Sequence, residues 1–209
     1  MNREILIVDD HLVVRTGVSI ILEEKLKDIR ISTAEDYLET IDFIKKNTVD
    51  LIILDVNIPG GKTTTMVHEI KAIQPAVKIL IFSVYDEKSH ACPYIVAGAN
   101  GYLNKLSDKK TLIGAINSIL NTGSYLSPDL VTELVKASAN NESLNPLDKL
   151  STRESEIATL LVLGDGNIEI SNKLNIQLTT VSTHKNKIFN KLKIKNLVEF
   201  INLFNNYRQ

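Results

Sequence analysis

Short apolar runs that end on polar residues are the dominant pattern in the first half of the chain. The runs and the polar residues that follow them are residues 5–8 before Asp9 and Asp10, Leu51–Leu54 before Asp55, residues 79–82 before Ser83, and residues 101–103 before Lys105. Continuous runs of β-prone residues are typical of strands that are buried on both faces. The pattern therefore predicts a parallel sheet covered by helices, which is an α/β domain.

The second half of the chain has a helical pattern instead. Apolar residues recur at helical spacing over residues 111–120, which close the α/β domain. Farther along, Ser151 and Glu154 have the spacing of a capping box at the start of another helix. A glycine-rich turn precedes residues 168–174, and the next helix begins near Thr179. Two short helices joined by a tight turn, the second rich in lysine, indicate a helix-turn-helix.

A polar segment separates the two patterns. Residues 138–146 are mostly short polar residues and end on Pro146, a composition that resists packing and is typical of a linker. A short helix is predicted upstream, from Ser127 through Val135, because Pro128 suits the first turn of a helix. The predicted organisation is an α/β domain over residues 1–121, a linker with a short helix over 122–149, and an all-α helix-turn-helix domain over 150–209.

Composition and charge narrow the classes of function. The 209 residues include one cysteine, Cys92, which excludes an internal disulfide and suits a reducing compartment. No apolar stretch of the sequence approaches the roughly 20 residues that cross a bilayer, so we expect a cytoplasmic protein without a membrane partner. The net charge is −1, yet residues 173–198 contain six lysines and no acid. A local basic surface on a near-neutral chain indicates a polyanionic partner.

The polar residues that follow the strands predict a chemical site. Ligands of a parallel sheet bind beyond the carboxyl ends of its strands, where these side chains would converge. Carboxylates of Asp9, Asp10 and Asp55 would repel one another unless a cation neutralised them, and Mg²⁺ binds through carboxylates, waters and phosphate oxygens. Ser83 and Lys105 offer a hydroxyl and a positive charge to phosphoryl oxygens. One carboxylate would then serve as a nucleophile and form an aspartyl phosphate.

Each of these residues also has an ordinary structural explanation. An aspartate after a strand is most often a helix N-cap, a lysine is usually a solvated surface charge, and a serine is usually a turn residue. The functional interpretation is favoured because all of these residue types occur together, in order, at the predicted strand ends.

The same residues resemble the receiver domain of two-component response regulators. The resemblance depends on Asp9 and Asp10 after the first strand, Asp55 within residues 54–60, Ser83 after the fourth strand, and Lys105 at the end of residues 98–105. It implies a doubly wound, flavodoxin-like sheet of five parallel strands. It also implies that a histidine kinase phosphorylates Asp55.

The receiver resemblance further implies a role for each polar residue at the strand ends. Asp10, Asp55 and the backbone carbonyl of Asn57 would hold Mg²⁺, and Asp9 would act through bound water. Lys105 would bind the phosphoryl group, and Ser83 with Tyr102 would form a switch pair.

Residues 150–203 resemble the LuxR-type DNA-binding domain of the NarL class of response regulators. The resemblance depends on residues 150–154, Gly164, residues 169–171, Leu174, Thr180, Val181, His184, Ile188, Lys191 and Leu192. It implies a recognition helix over residues 179–192, which enters the major groove of double-stranded DNA. The implied base contacts are Ser182, Thr183 and Asn186, and the other implied DNA contacts, mainly to phosphates, are Thr179, Thr180, Lys185, Lys187 and Lys191. The family also implies a homodimer in the phosphorylated or DNA-bound state.

Pro93 and Val84 depart from the receiver pattern, and Val84 follows Ser83 where many receivers have Ala. Pro93 lies where receivers continue their fourth helix, and a proline inside a helix costs about 3 kcal/mol. We therefore expect this helix to begin late, near Cys92, or to be kinked.

Two other functions remain as alternatives to a transcriptional response regulator that is not an enzyme. A phosphatase or phosphotransferase of the haloacid dehalogenase type also uses an aspartate nucleophile with Mg²⁺, but it expects a second acid where Asn57 stands. A phosphate-independent DNA-binding regulator would use its receiver only for protein contacts. The presence of Asp9, Asp10, Asp55, Ser83 and Lys105 disfavours this second alternative.

Overall fold

The computed structural model describes residues 2–139 and 145–207, and the chain separates into two compact units, Met1–Asn140 and Asn141–Gln209. The first unit alternates strands and helices: β1 Arg3–Val8, α1 Leu12–Lys25, β2 Ile29–Ala34, α2 Tyr37–Lys46, β3 Leu51–Leu54, α3 Thr65–Ile73, β4 Lys78–Ser83, α4 Glu87–Val96, β5 Gly101–Asn104, α5 Lys109–Thr122 and α6 Pro128–Ala139. The second unit is helical: a 3₁₀ turn Pro146–Lys149, α7 Thr152–Val162, α8 Asn167–Leu174, α9 Leu178–Leu192 and α10 Leu197–Tyr207.

The five strands form one parallel sheet in the order β2-β1-β3-β4-β5, which confirms the predicted doubly wound fold. Its order reverses between β1 and β3, and this switch point is where doubly wound sheets bind their ligands. The register places Val8 beside Leu54, and the amide of Asp55 donates to the Val8 carbonyl at 2.9 Å. The residues after β1 and β3 therefore lie next to each other at one edge of the sheet.

Both faces of the sheet are covered, as the continuous apolar runs predicted. Alternate strand residues such as Leu6 and Ile52 pack with α2, α3 and α4, whereas Ile7 and Ile53 pack with α1 and α5. Each of these four side chains is at most 1% exposed. With both faces covered, the carboxyl ends of the strands are where a ligand of this sheet would bind.

The helix predicted from Ser127 through Val135 is α6, and it packs on the first unit. Leu130 is 3% exposed within the same core cluster as Tyr94 of α4, and Lys88 of α4 forms an ion pair with Asp129 at 2.9 Å. The first compact unit consequently extends past the expected limit at residue 121. The sequence pattern did not predict that α6 packs on the first unit, because the apolar positions of a helix do not show which element they contact.

Helix α4 begins at Glu87, so the expectation of a late start near Cys92 is wrong. Pro93 lies inside the helix, and the Ala97 amide donates to its carbonyl at 2.9 Å. Packing explains this tolerance, because Ala91 and Tyr94 are at most 2% exposed and anchor the helix on the core. The alternative of a kink stays a prediction.

The helices of the second unit surround their own apolar core. Ile157 of α7, Ile170 of α8, Val181 and Ile188 of α9, and Phe200 of α10 are all 0% exposed. Ser151 and Glu154 form the predicted capping box at the start of α7. None of the helices in the described residues is long and apolar enough to cross a lipid bilayer.

Candidate functional site: an acidic pocket and a DNA-recognition helix

The carboxylates of Asp9 and Asp55 lie together at the switch point of the sheet. Both are buried, and the Lys105 ammonium lies 2.6 Å from the Asp9 carboxylate and 2.9 Å from that of Asp55. Burial by itself lowers the pKa of Lys105, but its hydrogen bonds with Asp55 and Asp9 outweigh this effect and raise the pKa above its usual value. The three side chains predicted from three separate strand ends are therefore in contact.

We call the site formed by Asp9, Asp55 and Lys105 the acidic pocket. Asp10 lies at its outer side, where the Asp10 side chain is about one third exposed. The imidazole of His11 lies 2.6 Å from Asp10 and 3.2 Å from Asp9. Ligand atoms of Asp9, Asp10, His11 and Asp55 all lie within 4.8 Å of one another. A cluster of carboxylate oxygens at this spacing fits a hard divalent cation such as Mg²⁺, which prefers oxygen ligands.

Asn57 lies in the β3–α3 connection and is exposed. It follows Asp55 by two residues and so lies next to the acidic pocket along the chain. Its predicted contribution to cation binding is through the backbone carbonyl and stays a prediction.

Ser83 and Tyr102 lie on the neighbouring strands β4 and β5. Ser83 is fully buried and its hydroxyl accepts the Tyr85 amide at 3.2 Å, while the Tyr102 hydroxyl donates to the Tyr85 carbonyl at 3.2 Å. Burial raises the pKa of Tyr102 to about 12, so the phenol remains protonated and can donate. Both predicted switch residues therefore contact the same residue, Tyr85, at the start of the β4–α4 connection.

Arg15 is a site residue that the sequence reasoning missed. Its guanidinium is 11% exposed, donates to the backbone carbonyl of Asp9 at 2.6 Å, and contacts Glu35 at 3.3 Å. It therefore ties the end of β1, where two of the carboxylates lie, to the end of β2. A signal was present in the sequence, because an arginine at this position of α1 falls among the apolar residues that face the sheet.

The predicted recognition helix corresponds to α9, Leu178–Leu192. Its apolar face is formed by Val181, Ile188 and Leu192, which are buried against α7 and α8. The opposite face is exposed and polar, and includes Thr179, Thr183, Asn186, Lys187 and Asn190. Asn190 was not predicted from the sequence, although its helical spacing from Thr183 and Asn186 would have placed it on this face.

Four residues predicted to contact DNA make contacts within the protein. The Thr183 hydroxyl donates to the Thr179 carbonyl at 2.9 Å. The Ser182 hydroxyl donates to the Leu178 carbonyl at 3.2 Å and accepts from the Asn167 amide at 3.3 Å. The Lys185 ammonium lies 5.7 Å from the centre of the Phe189 ring. Lys191 forms an ion pair with Glu154 at 2.6 Å. Thr180 is half-buried, whereas Lys187 is exposed.

Two family models match the chain. Residues 5–117 match the response regulator receiver domain, and residues 148–204 match the bacterial regulatory proteins of the luxR family. The chain is 34% identical over 197 residues to the fimbriae Z protein of Escherichia coli K12, covering 94% of this chain and 93% of that protein. It is also 34% identical to the oxygen regulatory protein NreC of Staphylococcus carnosus, covering 95% of this chain and 94% of NreC.

Solved structures support the same fold. The chain matches a structure of RcsB from Salmonella enterica serovar Typhimurium, described as bound to promoter P1flhDC in the presence of phosphomimetic BeF3-, with a TM-score of 0.80 and 24% identity over 100% of both chains. The chain matches both the receiver model and the luxR model, and it aligns with almost the full length of NreC. It therefore belongs to the NarL/LuxR-type two-component response regulators, which are DNA-binding transcription regulators.

Proposed function

We propose that Asp55 accepts a phosphoryl group from a partner histidine kinase and that this modification controls how α9 engages double-stranded DNA. The observation behind the proposal is the position of the Asp55 carboxylate, which lies at the switch point of the sheet and 2.9 Å from the Lys105 ammonium. A buried carboxylate held beside a positive charge is oriented for attack on a phosphoryl group and is protected from competing contacts.

The chemistry of phosphorylation follows from the residues of the pocket. An oxygen of Asp55 forms a bond to phosphorus while the bond from phosphorus to the imidazole nitrogen of the kinase breaks. Asp10, Asp55 and the Asn57 carbonyl would hold Mg²⁺, with Asp9 acting through water, and the ion would supply positive charge that offsets the charge of the carboxylates and the phosphoryl oxygens. Lys105 exchanges one carboxylate contact for a phosphoryl oxygen, so that its charge remains neutralised.

Ser83 and Tyr102 connect the pocket to the β4–α4 connection. The Ser83 hydroxyl donates to a phosphoryl oxygen in the phosphorylated state, which would change the contact that it now makes with the Tyr85 amide. Tyr102 contacts the carbonyl of the same residue. A ligand shifts a conformational equilibrium only through differential contacts, and this pair of hydroxyls can supply them.

The second unit is proposed to bind double-stranded DNA as a homodimer. The exposed polar face of α9 fits the major groove, and Lys187 at its edge fits a phosphate. A solved structure with the same fold is described as two RcsB dimers bound to two parallel DNAs. This description of RcsB supports a DNA-bound dimer for this chain.

The test of the phosphoacceptor is labelling of the full chain with Mg²⁺ and acetyl phosphate. Intact-mass spectrometry should show one added phosphoryl group, stable in acid and labile in base, and Asp55→Asn should abolish it. Asp42→Asn, which changes an exposed carboxylate on α2, is the matched control and should be labelled like the wild type. Labelling of the Asp55→Asn variant would contradict the assignment.

The test of the control step is DNA affinity with and without acetyl phosphate. Phosphorylation should strengthen binding of the wild type and leave Asp55→Asn unchanged. Equal binding by both proteins under both conditions would favour a phosphate-independent regulator. Steady release of inorganic phosphate from many small phosphoesters would instead favour an enzyme of the haloacid dehalogenase type.

A further inference from the structure

The exposed face of α9 has an unusual composition for a DNA-binding surface. Its central residues are Thr179, Thr183, Asn186 and Asn190, which recur every three or four residues and therefore share one side of the helix. We call these four residues the recognition strip. None of the four residues of the strip is charged. A charged side chain of α9 can therefore reach a base only from the edges of the strip.

The lysines of α9 are placed away from the centre of the recognition strip. Lys185 is half-buried and its ammonium lies over the Phe189 ring, and Lys191 is paired with Glu154. Lys187 is exposed and flanks the strip. Bidentate recognition of guanine needs an arginine or lysine that reaches O6 and N7. The composition of the strip therefore disfavours guanine at the centre of the contact.

The two central residues offer groups with a different preference. The Thr183 hydroxyl donates to the Thr179 carbonyl at 2.9 Å, which leaves the methyl group as the free part of this exposed side chain. Asn186 makes no side-chain hydrogen bond with the residues that the structure describes, so its amide retains both a donor and an acceptor. An asparagine pairs with the N6 and N7 atoms of adenine, and a threonine methyl contacts the methyl group of thymine.

We propose that Asn186 and Thr183 read A·T base pairs in the major groove, Asn186 through N6 and N7 of adenine and Thr183 through the 5-methyl group of thymine. The inference depends on the proposed function, because it needs α9 to lie in the groove. Three residues advance a helix by about 4.5 Å and base pairs are spaced by about 3.4 Å, so the two residues contact the same or adjacent base pairs. Ser182 has no part in this reading, since its hydroxyl is bonded to Leu178 and Asn167.

The first experiment selects binding sites from a pool of randomised duplexes with the phosphorylated full chain. Wild-type protein should enrich one or two adjacent A·T pairs in each half-site. Asn186→Ala should lose the preference at the adenine, and Asn202→Ala, the same change on an exposed residue of α10, should retain it. Enrichment of G·C at the position that responds to Asn186→Ala would overturn the proposal.

The second experiment changes single atoms of the selected site. Replacing the adenine with 7-deazaadenine removes N7 but keeps N6, and should weaken wild-type binding about 2- to 13-fold, the range for one hydrogen bond. Replacing the thymine with uracil removes one methyl group and should cost about 4-fold. Asn186→Ala should be insensitive to the deaza base, and Thr183→Ser should be insensitive to uracil.

The outcomes separate this inference from the function on which it depends. A wild-type protein that binds the selected site but ignores both analogues contradicts the reading of A·T pairs and leaves DNA binding intact. A protein that retains no duplex from the pool, phosphorylated or not, contradicts the proposed function and this inference with it.

Discussion

Lys191 on α9 lies 2.6 Å from the carboxylate of Glu154 on α7, and this ion pair joins the proposed recognition helix to the first α-helix of its domain. Glu154 is buried and also accepts the Ser151 amide at 2.8 Å, while Lys191 donates to the Lys149 carbonyl at 3.2 Å. The sequence predicted a phosphate contact for Lys191, but the structure gives its ammonium two partners within the protein. Lys191 therefore acts first on the stability and position of α9.

Lys191→Ala and Lys187→Ala should consequently have different effects. Loss of the Lys191 contact to a buried carboxylate should lower the free energy of unfolding by about 1–3 kcal/mol, the cost of leaving a buried acceptor without its partner. Lys187→Ala should leave stability nearly unchanged and reduce the slope of log affinity against log salt by about 0.9. Urea unfolding and DNA titrations at several salt concentrations measure the two effects. A stable Lys191 variant with a reduced salt slope would restore the phosphate assignment.

The same ion pair predicts a dependence of stability on pH. The hydrogen bond with Lys191, followed by that from the Ser151 amide, lowers the pKa of Glu154 from 4.5 to about 2. A carboxyl with a lowered pKa in the folded state stabilises the protein above its unfolded value, and this stabilisation is lost as the pH falls from about 4.5 toward 2.

Glu154→Gln is the variant that tests this dependence, because it keeps the size of the side chain but has no charge to lose. The wild type should be more stable than the variant at pH 7, by about 1–3 kcal/mol, and the difference should shrink below pH 4.5. Urea unfolding of both full chains, followed by circular dichroism, measures this difference in the free energy of unfolding. The receiver domain is identical in the two proteins, so its contribution cancels in the comparison. A difference that is constant from pH 7 to pH 3 would show that the charge of Glu154 has no part in stability.

Much of the receiver site could be predicted from the sequence because its residues follow continuous buried strands. Asp9 and Asp55 come directly after runs that are typical of strands buried on both faces, and the parallel register of β1 and β3 brings them together. Arg15 could not be assigned in the same way. Its contact is to a backbone carbonyl, and only the packing of α1 shows which carbonyl that is.

The proposed DNA-binding surface was less predictable for a related reason. Helical spacing identifies the exposed face of α9, but it does not show which exposed side chains already have partners. Ser182 and Lys191 were expected to contact DNA, and both are bonded to residues of neighbouring helices. Pro93 shows the converse case, because local propensity disfavoured a helix that packing against the core maintains.

Lys105→Ala should strengthen the binding of Mg²⁺ to the resting protein. Its ammonium neutralises Asp9 and Asp55 at 2.6 and 2.9 Å, so that a cation and Lys105 compete for the same carboxylates. Removing one unit charge about 4 Å from a doubly charged ion changes the free energy by about 2 kcal/mol even in a water-like medium, which is about thirtyfold in affinity.

The measurement is calorimetric titration with Mg²⁺, and Lys109→Ala is the matched control because it removes a lysine that binds Glu24 outside the pocket. The Lys105 variant should still accept phosphate but lose the effect of phosphate on DNA binding. Weaker Mg²⁺ binding by this variant would mean that Lys105 organises the pocket rather than competing for it.

Arg15 should determine the cation affinity of the pocket through the position of Asp9. Its guanidinium donates to the Asp9 carbonyl at 2.6 Å, and this carbonyl belongs to the peptide that joins Asp9 to Asp10, so we expect the bond to fix the backbone that bears both carboxylates. Arg15→Met keeps most of the apolar volume but loses this bond, and we expect Mg²⁺ affinity and the rate of labelling by acetyl phosphate to fall about tenfold. Such a loss corresponds to about 1.4 kcal/mol, at the upper end of the range for an ordinary hydrogen bond. Arg15→Lys retains one donor and should recover part of the affinity, while Arg30→Met, a change at an exposed arginine of β2, should have no effect.

Titrations with Mg²⁺ far below the melting temperature separate the effect of Arg15 on cation affinity from its effect on stability. An Arg15→Met variant that is fully folded and binds Mg²⁺ like the wild type would show that Arg15 contributes only to packing.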